Sequence, residues 1–265
     1  MGDVTVTGVD GCAAGWVAVT LGAVSRPAKA AASTAVASTA SASLAAEGIA
    51  AEGITPGDGT AEGVTVKDIT VAATLDGLPL AGVTGIDMPL GLLAAGWRDA
   101  DRLARQVLGR RGVTVFAIPP RPVWECATFA EANQVCRDLT GQGFSVQAWG
   151  LRRKIAEADA FRRRARPGPG GVQLYEVHPE LAFAALAGAP LPGSKHTRAG
   201  LAARRALLAA AGLTLPPRVA GAAEDDLLDA AAVAWSARRI AAGQAAVLTS
   251  PAQRADDGGE IAIRY

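Results

Sequence analysis

The chain has 265 residues, three cysteines and a formal net charge of +1, a length that buries a substantial core and fits one domain or two at roughly 150 residues each. Half of the residues are hydrophobic, but alanine inflates that share, and no run approaches the roughly 18 apolar residues of a spanning helix, so a membrane protein is not expected. Cys12, Cys126 and Cys136 form no CxxC pair, and with only His178 and His196 beside them they argue against a structural zinc site and for a reducing, cytoplasmic setting.

No basic region followed by an apolar block marks a secretory leader, and Val6 stands where a myristoylation motif needs Ser or Thr. Residues 4–9 alternate as a strand, and residues 16–21 follow as a second. Between them lies Asp10-Gly11-Cys12-Ala13-Ala14-Gly15, a glycine-bounded turn, so the pair reads as a hairpin. From about 23 to 63 the composition falls to Ala, Ser, Thr and Gly without periodicity. Such a segment buries too little to offset its ordering entropy and is expected to be a long surface insertion. Residues 64–71 resume the alternation as a third strand, followed by the turn pair Asp76-Gly77. Residues 83–86 form a short buried strand that ends at Asp87, stopped by Pro89 and Gly91.

Amphipathic patterns near 98–109, 127–140 and 148–165 predict a helical insertion over about 98–166. Residues 172–177 are a fifth strand closed by His178-Pro179. Two further helices are expected over 197–211 and 225–242, the second with acids at its start and Arg238-Arg239 near its end, as the helix dipole favours. Residues 260–265 offer a last edge strand. The pattern predicts one α/β domain over residues 1–265: a mixed five-stranded sheet, its first three strands an antiparallel meander, strands 4 and 5 joined by crossover helices, and helices on both faces. This is the ribonuclease H-like plan.

Asp10 and Asp87 each follow an apolar strand, where carboxylates emerge at the ligand-binding end of an open sheet. The plain alternatives are a turn-forming aspartate before glycine and a cap. In Glu224-Asp225-Asp226-Leu227-Leu228-Asp229, Asp225 reads as a cap. Asp229 lies a turn inside an otherwise apolar helix, where an unpaired carboxylate is unfavourable without a cation or donors. Asp226 and Asp229 are three apart and share a face. Asp10, Asp87, Asp226 and Asp229 together form the oxygen-only set that Mg²⁺ or Mn²⁺ prefers. Glu176 is a candidate further ligand, and His178 a candidate proton carrier or a hydrogen-bonded turn histidine. Lys195 opens a helix and suits phosphate, or is simply solvated. Arg152-Arg153-Lys154 and Arg162-Arg163-Arg164-Ala165-Arg166, with more positive charge at Arg98, Arg102, Arg105, Arg110 and Arg111, suit a phosphate backbone or a solvated helix face.

Several pieces resemble one family in order along the chain. They are Val9-Asp10-Gly11-Cys12 with Gly15-Trp16-Val17, Ile86-Asp87-Met88-Pro89-Leu90-Gly91, Pro119-Pro120-Arg121, residues 147–159 with Lys154-Ile155, Tyr175-Glu176-Val177-His178-Pro179-Glu180, and Asp225-Asp226-Leu227-Leu228-Asp229-Ala230. The family is the bacterial and archaeal domain of unknown function 429, described as predicted ribonuclease H-like nucleases. The acids also resemble the layout of Holliday-junction resolvases, on the first strand, the fourth strand and the last helix, with Asp87 where Glu is common there. The resemblance implies a metal-dependent nuclease on nucleic acid, with Asp10, Asp87, Asp226 and Asp229 as ligands and Glu176 and His178 assisting. Lys154, Lys195 and Arg121 would contact substrate. Two ions about 3.5–4 Å apart would activate water and stabilise the leaving oxygen. Two alternatives stand beside it. One is a non-catalytic module binding metal, ligand or nucleic acid on the same fold. The other is an actin- or sugar-kinase-like nucleotide binder, since the loop Asp10 to Gly15 resembles a phosphate hairpin; that class needs a second lobe and a second phosphate loop, neither of which is visible here.

Overall fold

Period-two alternation along the first strands decides which face of the sheet each side chain meets. The computed structural model describes residues 3–25, 64–80, 82–165 and 171–265. Strand β1 (Asp3–Cys12) pairs antiparallel with β2 (Gly15–Ser25), and the ladder runs through Asp10↔Val17 to Cys12↔Gly15. The expected turn beginning at Asp10 is therefore shorter, only Ala13-Ala14, because Gly15 at φ 128° lets the chain reverse there. Asp10 belongs to the strand. Residues 23–25, expected in the insertion, belong to β2, and residues 26–63 lie outside the described residues.

Strand β3 (Val66–Ala72) pairs antiparallel with β2, while β4 (Gly82–Ile86) and β5 (Val172–Val177) run parallel to β1 and to each other. Beyond β5 lie β7 (Glu260–Arg264), parallel to it, and β6 (Val247–Arg254), antiparallel to β7. The order is β3-β2-β1-β4-β5-β7-β6, so among the described residues the sheet has seven strands and not the five expected. β6 escapes sequence patterning because Pro251 interrupts it. The ladder shifts register between Leu248 and Gln253, and proline, lacking an amide hydrogen, is confined to edges and bulges. β7 lies inside the sheet, against the expectation of an edge.

Between β4 and β5 come α1 (Asp99–Leu108), α2 (Arg121–Trp124), α3 (Phe129–Thr140), α4 (Val146–Gly150) and α5 (Arg152–Arg164). The helix expected over 148–165 is broken at Leu151 into the last two. After β5 come α6 (Pro179–Ala187), α7 (Arg198–Ala210) and α8 (Glu224–Ala241). α6 was not expected, since His178-Pro179 reads as a strand stop. Proline suits the first turn of a helix, where its missing N–H leaves no bond unmade, and the His178 ring accepts from the Glu180 N–H as a cap. Among the described residues no helix is long and apolar enough to cross a membrane.

Helices cover both faces. On one, α6, α7 and α8 bury Val6, Val17, Val19, Leu21 and Val83. On the other, α5 and the segments after β4 bury Val9, Trp16, Ala18 and Ile86. α8 lies closest to the sheet, with Ala230, Ala231, Ala234 and Ala237 buried. A Cβ on Gly8 would fall 2.0 Å from the Ala234 nitrogen and 2.2 Å from the Ala230 carbonyl oxygen. Small residues on both elements thus let the α8 backbone rest on β1. Gly8→Ala should cost about 3 kcal/mol or more, the upper end for overpacking, because backbone rather than a flexible side chain must move. Urea unfolding measures this, and a loss below about 1 kcal/mol would show that α8 shifts freely.

Candidate metal centre

The side-chain parity that sends Val6 and Gly8 toward α8 sends Asp10 there as well, just past the last paired position of β4. Asp87 follows Ile86, and its N–H donates to the Val9 carbonyl at 2.9 Å, extending the β1–β4 pairing by one residue. Val83 and Gly85, four and two positions earlier, face α8, so Asp87 points the same way. Asp229, in the second turn of α8, comes down onto this pair beside Ala230. One carboxylate oxygen from each of Asp10, Asp87 and Asp229 lies within 4.8 Å of the others.

Asp10 and Asp229 are buried. The Gly11 N–H donates to Asp10 Oδ1 at 2.6 Å, and Lys195 Nζ lies 2.5 Å from Asp229 Oδ2. Burial first, and then repulsion from Asp87 and Asp229, holds the Asp10 carboxyl well above the usual range. Burial pushes Asp87 up to about 7 and Asp229 up to about 6, against the pull of Lys195. The trio stands on the wall of a cavity of about 430 Å³ that is also lined by Phe116, Ile118, Leu151, His178, Glu180 and Lys195.

Asp226, the fourth expected ligand, is not within this trio. Its Oδ2 accepts the Ala223 N–H at 3.2 Å, the bond of a helix cap. Glu176 is registered with Ile86 and shares its face, away from α8. There Arg98 Nη2 reaches both of its oxygens at 2.6 Å and the Leu90 N–H donates at 2.7 Å. Burial still leaves the Glu176 carboxyl above its ordinary value, with Arg98 opposing. His178 lines the cavity, but its Nδ1 accepts from the Glu180 N–H at 3.2 Å and its ring also bonds the Thr114 backbone. Burial lowers its pKa, and through the Nδ1 that accepts the Glu180 N–H the ring positions the start of α6.

Of the three expected substrate contacts, Lys195 joins the trio, Lys154 lines the same cavity, and Arg121 lies outside it. Lys154 Nζ donates to the Gly15 carbonyl and sits 4.3 Å over the Trp16 ring, at the rim above Gly11. Arg121 pairs with Asp159 at 2.9 Å and with Asp256, outside the cavity. The arginines at the end of α5 are likewise occupied, Arg162 by Asp257 at 2.5 Å, Arg163 by Asp256 at 2.9 Å and Arg164 by Asp76 at 2.9 Å, while at its start Arg152 lies over the Trp149 ring. Glu180 was passed over as a site residue although its carboxylate lines the cavity. Arg111 and Arg204 reach Glu180 Oε1 at 3.0 and 2.6 Å, and the buried Oε2 has no hydrogen-bond partner among the described residues.

The model of the family described as protein of unknown function (DUF429) matches residues 8–254. The chain belongs to this family. The DUF429 match contains the whole trio, Lys195 and Glu180. No curated protein and no solved structure matches the chain.

The raised carboxyls set a pH dependence for the DUF429 chain without metal. Each trio aspartate binds its proton more tightly folded than unfolded, where an aspartate titrates near about 3.9. Their contribution to stability is therefore fully present below about pH 4 and is lost as pH rises through about 6 for Asp229 and about 7 for Asp87. With chelator, Asp87→Asn should gain on wild type between pH 5 and 8. Parallel urea-unfolding stabilities across that range would show that Asp87 is not held in this way.

Proposed function

We propose that this protein hydrolyses phosphodiester bonds in nucleic acid, using divalent metal held by Asp10, Asp87 and Asp229 on a single ribonuclease H-like domain. One observation carries the reading: carboxylates from β1, from the end of β4 and from α8 converge within 4.8 Å on one cavity wall. The strand order β3-β2-β1-β4-β5, antiparallel in its first three strands and parallel after, supports the fold assignment.

The donor set fits Mg²⁺ or Mn²⁺, since hard cations take carboxylate oxygens, and among the described residues no arginine pairs with the trio, whereas Glu176 and Glu180 each pair with one or more. A bound divalent cation would supply Lewis acidity and lower the pKa of coordinated water. The chain itself contributes the rest. Asp10, Asp87 and Asp229 would hold the ion, Asp226 caps the first turn of α8, just before Asp229, and Lys195 brings positive charge to the cavity beside Asp229. His178 holds the start of α6 and with it Glu180.

A second reading has its own support. A cavity of about 430 Å³ falls within the usual range for small-molecule pockets, about 300–1,000 Å³. Three of the five α5 arginines that would track a nucleic-acid backbone, Arg162, Arg163 and Arg164, are tied to Asp257, Asp256 and Asp76. On this reading the same site binds metal with a small phosphorylated ligand and performs no hydrolysis.

Thermal unfolding and cleavage assays test both readings. Mn²⁺ at about 100 times its dissociation constant should add about 2.7 kcal/mol to wild type. Asp10→Asn and Asp229→Asn should lose that gain while keeping or raising metal-free stability. An equal response in all three proteins would remove these aspartates from any metal site. Cleavage of labelled DNA or RNA should depend on Mn²⁺ and vanish in Asp10→Asn. A normal metal response with no cleavage of any nucleic acid leaves the binding module as the correct reading.

A further inference from the structure

We propose that Lys195 takes the place of a second metal ion, so that the site holds one divalent cation per chain. The inference rests on the metal part of the proposed function and refines its chemistry. Two-ion sites share carboxylates between neighbouring cations. Here one of the shared positions is already filled, because Lys195 Nζ lies 2.5 Å from Asp229 Oδ2 and 3.8 Å from Asp225 Oδ2.

The lysine is a fixed part of the structure and not a surface side chain that happens to lean inward. It stands in the loop before α7, where the Ser194 carbonyl receives both the Thr197 N–H at 3.1 Å and the Thr197 hydroxyl at 2.9 Å. The Gly193 carbonyl, at the base of the same loop, accepts from buried Arg204 at 3.2 Å. Gly200 lets the loop lie against the first turn of α7, since a Cβ there would fall 1.9 Å from the Ser194 carbonyl oxygen. These contacts fix the backbone on either side of Lys195, and from there its Nζ reaches Asp229.

Charge balance favours the same count. Three ionised carboxylates against one ammonium leave two negative charges, which one divalent ion neutralises. A second ion would have to displace Nζ or sit beside it, and like charges a few ångströms apart in a poorly solvated pocket repel strongly. Asp226, which a two-ion site would recruit from α8, is engaged at the Ala223 N–H. An independent sign that the cavity takes a ligand is Glu180 Oε2, buried on its wall without a partner, an acceptor that a donor entering with the ligand would satisfy.

The test is Mn²⁺ titration of the full chain by calorimetry, with electron paramagnetic resonance at saturation and no nucleic acid present. Wild type should bind one Mn²⁺ and give an uncoupled spectrum, and Lys195→Arg, which keeps the charge, should do the same. Lys195→Met should bind a second Mn²⁺ at least tenfold more tightly than wild type does and show an exchange-coupled pair. Two ions in wild type would overturn the inference while leaving the metal reading intact, and this outcome needs no variant to fold. A Lys195→Met protein that stays at one ion would also overturn it. If wild type binds no Mn²⁺, the inference and the metal reading fall together.

Discussion

The seating of α8 directly on β1 is the constraint on which the site depends. Gly8 leaves no side chain between strand and helix, and the Ala230 carbonyl and Ala234 nitrogen occupy the space it vacates. Asp10 is two positions along the strand from that contact, and Asp229 is one residue before Ala230 on the helix. Both carboxylates are therefore placed by the same close approach, and any side chain that lifted α8 would separate them. The third carboxylate is tied to the same place through the Asp87 N–H, which bonds β1 at the Val9 carbonyl.

The buried acids of this chain fall into two groups by their partners. Glu176 has Arg98, Glu180 has Arg111 and Arg204, and Asp159 has Arg121, Arg162 and Arg163. Planar guanidinium groups hold a carboxylate by directed bonds and keep their charge, so these acids act as joints between elements, although Glu180 uses only Oε1 for this. Asp10, Asp87 and Asp229 have no arginine and share one lysine. Leaving three carboxylates together without such partners is unfavourable for the fold on its own. The chain accepts that penalty at one place only among the described residues that line the cavity.

The alternation of β1, β2 and β3, the short β4 and the acid-led α8 could all be read from the residues, because their patterns are local. So could three carboxylates of the site, each of which breaks an apolar run. Long-range partners could not be read. Glu176 looks like a ligand in Tyr175-Glu176-Val177-His178, and what distinguishes it is register: it pairs with Ile86, whose side faces α5, and Arg98 waits there from 78 residues earlier in the chain. The parity of β5 carried a usable signal, since Leu174 shares that face. The arginines at the end of α5 looked like a phosphate track for the same reason, since Asp256, which pairs with Arg163, lies 93 residues further on and Asp76, which pairs with Arg164, lies 88 residues earlier. β6 stayed hidden because Pro251 breaks the pattern, and α6 because a proline that begins a helix also ends a strand.

Pro251 has a further consequence at the molecular scale. β6 is the outer strand on its side of the sheet, and an outer strand with every amide free is a template for a strand of another molecule. A residue without an amide hydrogen, set where the ladder already slips register, interrupts that template midway. On the opposite border, β3 presents exposed Lys67 and Asp68, and charge there disfavours a flat apolar approach. The sheet is thus capped at both margins against growth into a neighbouring chain, which protects a protein of this alanine content from aggregating edge to edge.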